Sequence, residues 1–139
     1  MGDEIDRWLP DVSAGTVSDW AEDALIAAST DVHHRGAVRA WVQQMREGLA
    51  LPDDTGLESL LVQRVSLCQL AVNDAERRRA QIWGCPGGVS HESADFWDRH
   101  VSRLNADLLQ ATRTLATVRK LRRPVVQVNV AKQQVNVAG

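Results

Sequence analysis

Cys85, His91 and His100 fall within sixteen residues of one another, with Cys68 upstream, and these are the first groups to weigh for chemistry. A structural zinc site takes four Cys or His ligands at close, recognisable spacing. The chain has no Cys-x-x-Cys pair, and His33 and His34 are adjacent rather than one helical turn apart. A metal site is therefore not expected. Cys85 lies between Gly84 and Pro86, with His91 following, which supplies a thiol and a candidate base. A catalytic thiol also needs an electropositive pocket and a place for an oxyanion, and the neighbouring residues suggest neither. Cys68 reads as a small core residue, and His100 as the flank of a helical seam. Asp53-Asp54 and the pair Asp95 and Asp98 read as turn formers and helix-start residues. Gly87-Gly88 is followed by neither Lys nor a helix-opening motif, so no phosphate-cradling loop is present. The chain reads as non-enzymatic, with no cofactor and no metal.

The cations carry more information. Arg77, Arg78 and Arg79 are consecutive, and Arg113, Arg119, Lys120, Arg122 and Arg123 crowd a second stretch. Clusters of this kind bind phosphate backbones without regard to sequence, in a salt-sensitive way. Arg77, Arg78, Arg79, Arg119, Lys120, Arg122 and Arg123 are accordingly the expected DNA contacts. The competing reading is that they complement helix dipoles and keep the surface soluble. Charge is also split along the chain. Residues 1–58 carry 12 acids and 4 bases, and residues 59–139 carry 6 acids and 12 bases. An acidic arm over a basic surface, a nucleic-acid-facing half, or plain solvated helix faces all fit that split. Trp41 and Trp97 have rings able to stack on bases, but both fit apolar helix stripes.

Four helices must position these groups. Residues 1–15 read as an acidic lead-in, with Pro10, Ser13 and Gly15 breaking any periodicity. Val17, Trp20, Ala24, Ala27 and Ala28 predict a short helix over about 16–29. Asp31 is placed to cap a second helix, whose stripe is Val38, Trp41, Val42, Met45 and Leu49. Pro52, Asp53, Asp54 and Gly56 then break the chain. A third helix is expected from about Leu57 to Trp83. Leu57, Leu61, Val65, Cys68, Val72 and Ala75 line one side of it, with Leu60, Leu67 and Ala71 beside them. That stripe is wide enough for more than one partner. Arg77–Arg79 are expected at its carboxyl end, and Pro86-Gly87-Gly88 ends it in a turn. The fourth helix carries Trp97, Val101, Leu104, Leu108, Ala111, Leu115 and Val118, an unbroken heptad seam. Ser90 or Ser93 caps its start, and Pro124 stops it. Helices three and four, joined by a short loop, are expected to form an antiparallel hairpin.

Beyond Pro124 the pattern changes to period two. Val126, Val128 and Val130 alternate with Gln127 and Asn129, and Val135 and Val137 flank Asn136. β-Branched residues at that period predict strand. Gln-Val-Asn-Val recurs after seven residues, an odd number, so one straight strand would turn the two valine sets to opposite faces. No other segment reads as a strand. The tail is expected to pair with the same tail of another copy, to add a strand to a protein partner, or to stay disordered until bound. The fold class is thus mainly α: an antiparallel helical hairpin with two short N-terminal helices and a short C-terminal β tail. Its regions are an acidic N-terminal part over 1–55, a hairpin core over 56–123 and a β-forming tail over 124–139.

Composition is that of a globular domain, 44% hydrophobic and 24% charged, both ordinary proportions. Five Trp against one Phe and no Tyr suggest that indoles anchor contacts between elements. Two cysteines make no disulfide framework, which points to a reducing, cytoplasmic setting. No basic-then-apolar leader and no membrane-spanning run is expected.

The stretch Gly56-Leu57-Glu58-Ser59-Leu60-Leu61-Val62-Gln63-Arg64-Val65 is the start of a partial resemblance. It continues through Leu104-Asn105 and Thr114-Leu115-Ala116-Thr117-Val118-Arg119-Lys120-Leu121 to Pro124 and Val126-Gln127-Val128-Asn129-Val130. Over about residues 56–138 the chain resembles a family of short, uncharacterised bacterial helical proteins with this ending, which implies no particular activity. The layout also resembles that of phage terminase small subunits. That likeness implies an N-terminal DNA-binding helical part, a helical hairpin that oligomerises and a C-terminal β segment assembled in a ring. Residues 16–49 lack a helix-turn-helix signature and the N-terminal part is acidic, so the arginines are the expected DNA contacts. The packing seam would be Trp97, Val101, Leu104, Leu108, Leu115 and Val118, with Val126, Val128, Val130, Val135 and Val137 joining the copies.

Overall fold

The computed structural model describes residues 17–122. Four helices follow one another: α1 (Val17–Ser29), α2 (Arg35–Leu49), α3 (Gly56–Trp83) and α4 (His91–Arg122). No strand occurs among the described residues. Arg123 and the valine tail over 124–139 lie outside them, as do the lead-in over 1–15 and Thr16.

α3 and α4 form the antiparallel hairpin. The turn between them closes when Gly84 N–H donates to Ala80 O at 3.0 Å and Gly88 N–H donates to Cys85 O at 3.1 Å. Gly88 has a φ of 76°, a left-handed conformation that glycine adopts without a Cβ clash. Ser90 then caps α4, its Oγ accepting from Ser93 N–H at 3.1 Å. Register along the hairpin is fixed at both ends. Arg79 pairs with Asp98 at 2.8 Å near the turn. Arg122 Nε donates to Glu58 Oε1 at 2.9 Å at the open end. Between them Val62, Val65, Cys68, Ala111 and Leu115 are buried together, with Leu61, Leu108 and Leu49 packed around them. The heptad spacing of α4 is what keeps one stripe facing α3 over the length of the contact. Val101, Ala111 and Leu115 are buried, while Trp97, Leu104, Leu108 and Val118 are partly covered.

α1 and α2 pack on a second side of α3. Ile26, Val42 and Leu70 form that smaller core, with Leu25 and Val38 against it. A polar joint ties the three helices. Arg46 pairs with Glu22 of α1, and its Nε donates to the Oγ of the buried Ser66 at 3.1 Å. The wide apolar stripe of α3 thus serves three partners, whereas the backbone of α4 lies close to that of α3 alone.

Four expectations are corrected by the packing. Arg77–Arg79 are not at the end of α3: its last turn holds no basic residue, because the helix runs on to Trp83. Asp31 does not cap α2. Its Oδ1 accepts from His33 N–H at 2.9 Å and from His34 N–H at 3.2 Å, which makes a turn just ahead of the helix. Leu57 and Leu60 stay exposed at 56% and 59%, because no described element covers that end of the stripe. Trp20 and Trp83 are about half exposed, at 49% and 56%, so these two indoles are not buried in the core. Trp97 makes an edge-on contact with the neighbouring Phe96, their centroids 5.5 Å apart.

Candidate nucleic-acid interface

The chemistry-bearing residues sort quickly. Cys68 is a buried core thiol, its pKa pushed up by burial. Cys85 is exposed in the hairpin turn, with its Sγ 3.5 Å from Gln81 O. His100 stacks on Phe96, centroids 5.8 Å apart, on the flank of the seam. No group of three metal-ligating side chains comes together among the described residues.

The cations divide into two sets. The first is consumed by the fold. Arg77 Nη2 donates to Asp74 Oδ1 at 2.8 Å, and Arg78 Nε donates to Asp74 Oδ2 at 2.8 Å. Arg78 also reaches the carbonyl of Ala28 at 2.6 Å, tying α3 to the end of α1. Arg79 is held by Asp98.

Arg119 and Arg122 are held more firmly, at the open end of the hairpin. Arg119 forks onto Asp54, with Nε donating at 3.1 Å to Oδ1 and Nη2 at 2.7 Å to Oδ2. Its Nη2 also donates to Leu49 O at 2.8 Å, satisfying a carbonyl at the end of α2. The Arg119 hydrogen bonds hold the Asp54 carboxyl below its ordinary value, helped by the Leu51 N–H. One turn on, Arg122 joins Glu58 and Asp53, the latter at 3.0 Å. Glu58 is fully buried and closes a capping box with Thr55, so two backbone donors at the helix start are satisfied reciprocally. The Thr55 N–H, donating to Glu58 Oε2 at 2.6 Å, is the main reason its pKa is lowered, and Arg122 adds to it. These contacts make a latch between α4 and the segment joining α2 to α3. The planar guanidinium suits it, since one fork satisfies a carboxylate and a carbonyl together.

The second set faces outward. Arg99, Arg103, Ala106, Gln110, Arg113, Thr117 and Lys120 are spaced 4, 3, 4, 3, 4 and 3 residues apart along α4. Each stands two residues beyond a seam position, which is about 200° around an α-helix and so on the opposite face. All seven are exposed. Arg99 is paired with Asp95. Arg103, Arg113 and Lys120 form no ion pair with any described residue. The row spans about 30 Å of helix rise. Asp107 is the last acid of the chain, so α4 itself supplies no carboxylate to its outer face from there to its end.

Of the seven cations expected to touch DNA, Arg77, Arg78, Arg79, Arg119 and Arg122 are therefore engaged within the fold, Lys120 is free of ion pairs among the described residues, and Arg123 lies outside them. Arg99 and Arg103 carry no role in the sequence reading, and Arg113 none beyond its place in the second cluster. The signal for them is the heptad spacing itself, counted two residues out of register. No helix of the described residues is long and apolar enough to cross a membrane. Compared with protein-family models, curated proteins and solved structures, the chain finds no match.

Proposed function

We propose that this chain is a non-enzymatic helical protein that assembles with its own copies and contacts DNA through the outer face of α4. Arg103, Arg113 and Lys120 are the phosphate contacts, with Arg99 joining when it leaves Asp95. One observation carries the reading: a row of cations lies on a face that no other described element covers and on which α4 itself carries no acid beyond Asp107. Such a row supplies sequence-independent affinity through counterion release. Arg119 and Arg122 have the structural role instead. The order of elements, two short helices before a long hairpin, fits the phage terminase small-subunit layout that the sequence resembles. On that reading the valine tail joins the copies.

The test is the salt dependence of binding. The full chain should retard duplex DNA at low salt, with affinity falling steeply as salt rises. Neutralising Arg113 and Lys120 to Gln should flatten the log–log slope by about 2, near 0.9 for each lost phosphate contact. No retardation of DNA by the full chain at low salt sinks the proposal.

A second reading, assembly or strand addition to a protein partner without nucleic acid, is favoured by the apolar side chains on α4 that remain exposed. Phe96, Leu109 and Leu121 are 58%, 56% and 80% accessible. Light scattering on the full chain and on a chain cut at Pro124 tests whether the tail joins copies. Monomers in both cases exclude assembly through a shared sheet.

A further inference from the structure

On the reading that the outer face of α4 meets DNA, we propose that it does so in the major groove of a duplex, with Gln110 and Thr117 reading base edges between two flanks of phosphate-binding cations. The face is ordered across the helix as well as along it. At about 100° per residue and measured from Arg113, Lys120 lies at about −20°, Ala106 at about 20°, Thr117 at about 40°, Gln110 at about 60° and Arg103 at about 80°. Lys120 and Arg113 thus form one flank and Arg103 the other, with one small and two polar uncharged residues between them. The two strands of a duplex wall its major groove with phosphates and leave base edges on the floor. Cations on both flanks and neutral hydrogen-bonding groups in the middle match that section. Arg99 also falls at about 40°, at the start of the row, where Asp95 holds it.

The middle residues are available for such contacts. Thr112 and Thr114 turn back on their own helix, their Oγ1 atoms donating to Leu108 O and Gln110 O at 2.9 Å each. Gln43 and Gln69 likewise donate to Glu47 and Asn73 one turn away. The side chains of Gln110 and Thr117 make no hydrogen bond with a described residue, and both are exposed. A glutamine amide pairs bidentately with N6 and N7 of adenine, a threonine hydroxyl serves donors and acceptors alike, and an alanine methyl packs on that of thymine. Ala106 to Thr117 covers about 16 Å of helix rise, or about five base pairs.

The dimensions fit a helix laid in that groove. An α-helix with its side chains is about 10–12 Å across, and the major groove is about 12 Å wide. α4 packs on α3 through its opposite side, and no other described helix approaches its backbone. Single strands and RNA suit the face less well. From Arg103 to Lys120 α4 has no aromatic side chain on which unpaired bases could stack. The major groove of an RNA duplex is too narrow for side chains to read.

Selection and retardation with the full chain decide it. A pool of duplex DNA with a randomised centre should yield an enriched motif of about five base pairs. Retardation of the enriched duplex is then compared with that of a scrambled one. Gln110→Ala should cut the ratio of the two affinities by about 5- to 150-fold, the value of one bidentate base contact. Arg113→Gln should weaken both duplexes alike, and Thr112→Ala should leave the ratio unchanged. A pool that binds without enrichment, or an unchanged ratio in Gln110→Ala, overturns base reading and leaves the phosphate contacts standing. Tighter binding of the enriched sequence as a single strand than as a duplex overturns docking in the major groove. No retardation of any duplex overturns the DNA reading itself, and base reading with it.

Discussion

Arg119 and Lys120 are neighbours on α4 and do opposite work. Arg119 turns inward, forks onto Asp54 and caps the Leu49 carbonyl. Lys120 turns outward on the same face as Arg113 and Arg103, with no ion-pair partner among the described residues. One step of about 100° around the helix separates a cation that holds the hairpin shut from one that forms no ion pair with a described residue. Charge counted along the sequence cannot distinguish them, because both belong to one basic run. The two faces differ in what surrounds them. The inner face meets apolar side chains and carboxylates from residues 49–68, and the outer face meets solvent.

The largest break in this contrast should come from the inner apolar seam. Leu115 is buried in one cluster with Val62 and Val65 of α3, against which Leu49 of α2 also packs. Leu115→Ala should cost about 2–5 kcal/mol, the range for opening a cavity in a packed core. Urea unfolding of the variant measures it. A loss under about 1 kcal/mol would show that the seam closes over the gap and does not hold the hairpin.

The seam was legible from the sequence because it is local. Val101, Leu104, Leu108, Ala111, Leu115 and Val118 repeat within one helix, and periodicity alone assigns them to one face. The latch was not legible. Asp54 and Arg119 are 65 residues apart, and nothing in either neighbourhood marks the pair. Asp53-Asp54 reads as a plain turn, which it also is, since Asp54 Oδ2 accepts from Leu51 N–H at 2.9 Å. Arg77–Arg79 were misplaced for another reason. Three arginines after an apolar run resemble a helix end, yet Ala80, Gln81 and Ile82 continue the helix to Trp83. The exposure of Leu57 follows from the same limit: a stripe shows which side of a helix is apolar, not how far along it a partner extends.

A smaller effect should follow at the capping box beneath the latch. Thr55→Ala removes the Oγ that accepts from Glu58 N–H at 3.3 Å. The expected loss is about 1 kcal/mol, within the usual cap range of about 0.5–2 kcal/mol. The same urea titration checks it. A wild-type midpoint in Thr55→Ala would mean that the Thr55 N–H to Glu58 contact alone fixes the start of α3.

Acid should loosen the latch without touching the seam. Asp54 and Glu58 both have folded pKa values below their ordinary ones. A lowered folded pKa contributes stability that is complete above the unfolded value, about 4 for these groups, and is lost as pH falls through the folded value. Glu58→Gln keeps an acceptor for the Thr55 N–H but removes the charge paired with Arg122. The variant should be less stable than the parent at pH 7, and the gap should close as pH drops below about 4. Thermal unfolding of both proteins across that range tests it. A gap that stays constant with pH would assign the effect to packing rather than to the carboxylate.

The smallest stability effect, and the sharpest separation of the two faces, should come from Arg113→Gln with Lys120→Gln. Both side chains are exposed and neither is ion-paired to a described residue. Folding should therefore shift by no more than about 0.5 kcal/mol for each. Arg119→Gln is the matched control from the inner face. It leaves Asp54, only 5% exposed, without its cation, so it should destabilise the fold. On DNA the order should reverse. The outer double variant should lose salt-dependent affinity while its unfolding curve stays in place. Arg119→Gln, assayed at a temperature where it remains folded, should keep the parent's salt slope. If Arg119→Gln flattened that slope as much as the outer pair did, Arg119 would have to leave Asp54 to reach a phosphate. The division of α4 into a structural face and a contact face would then be wrong.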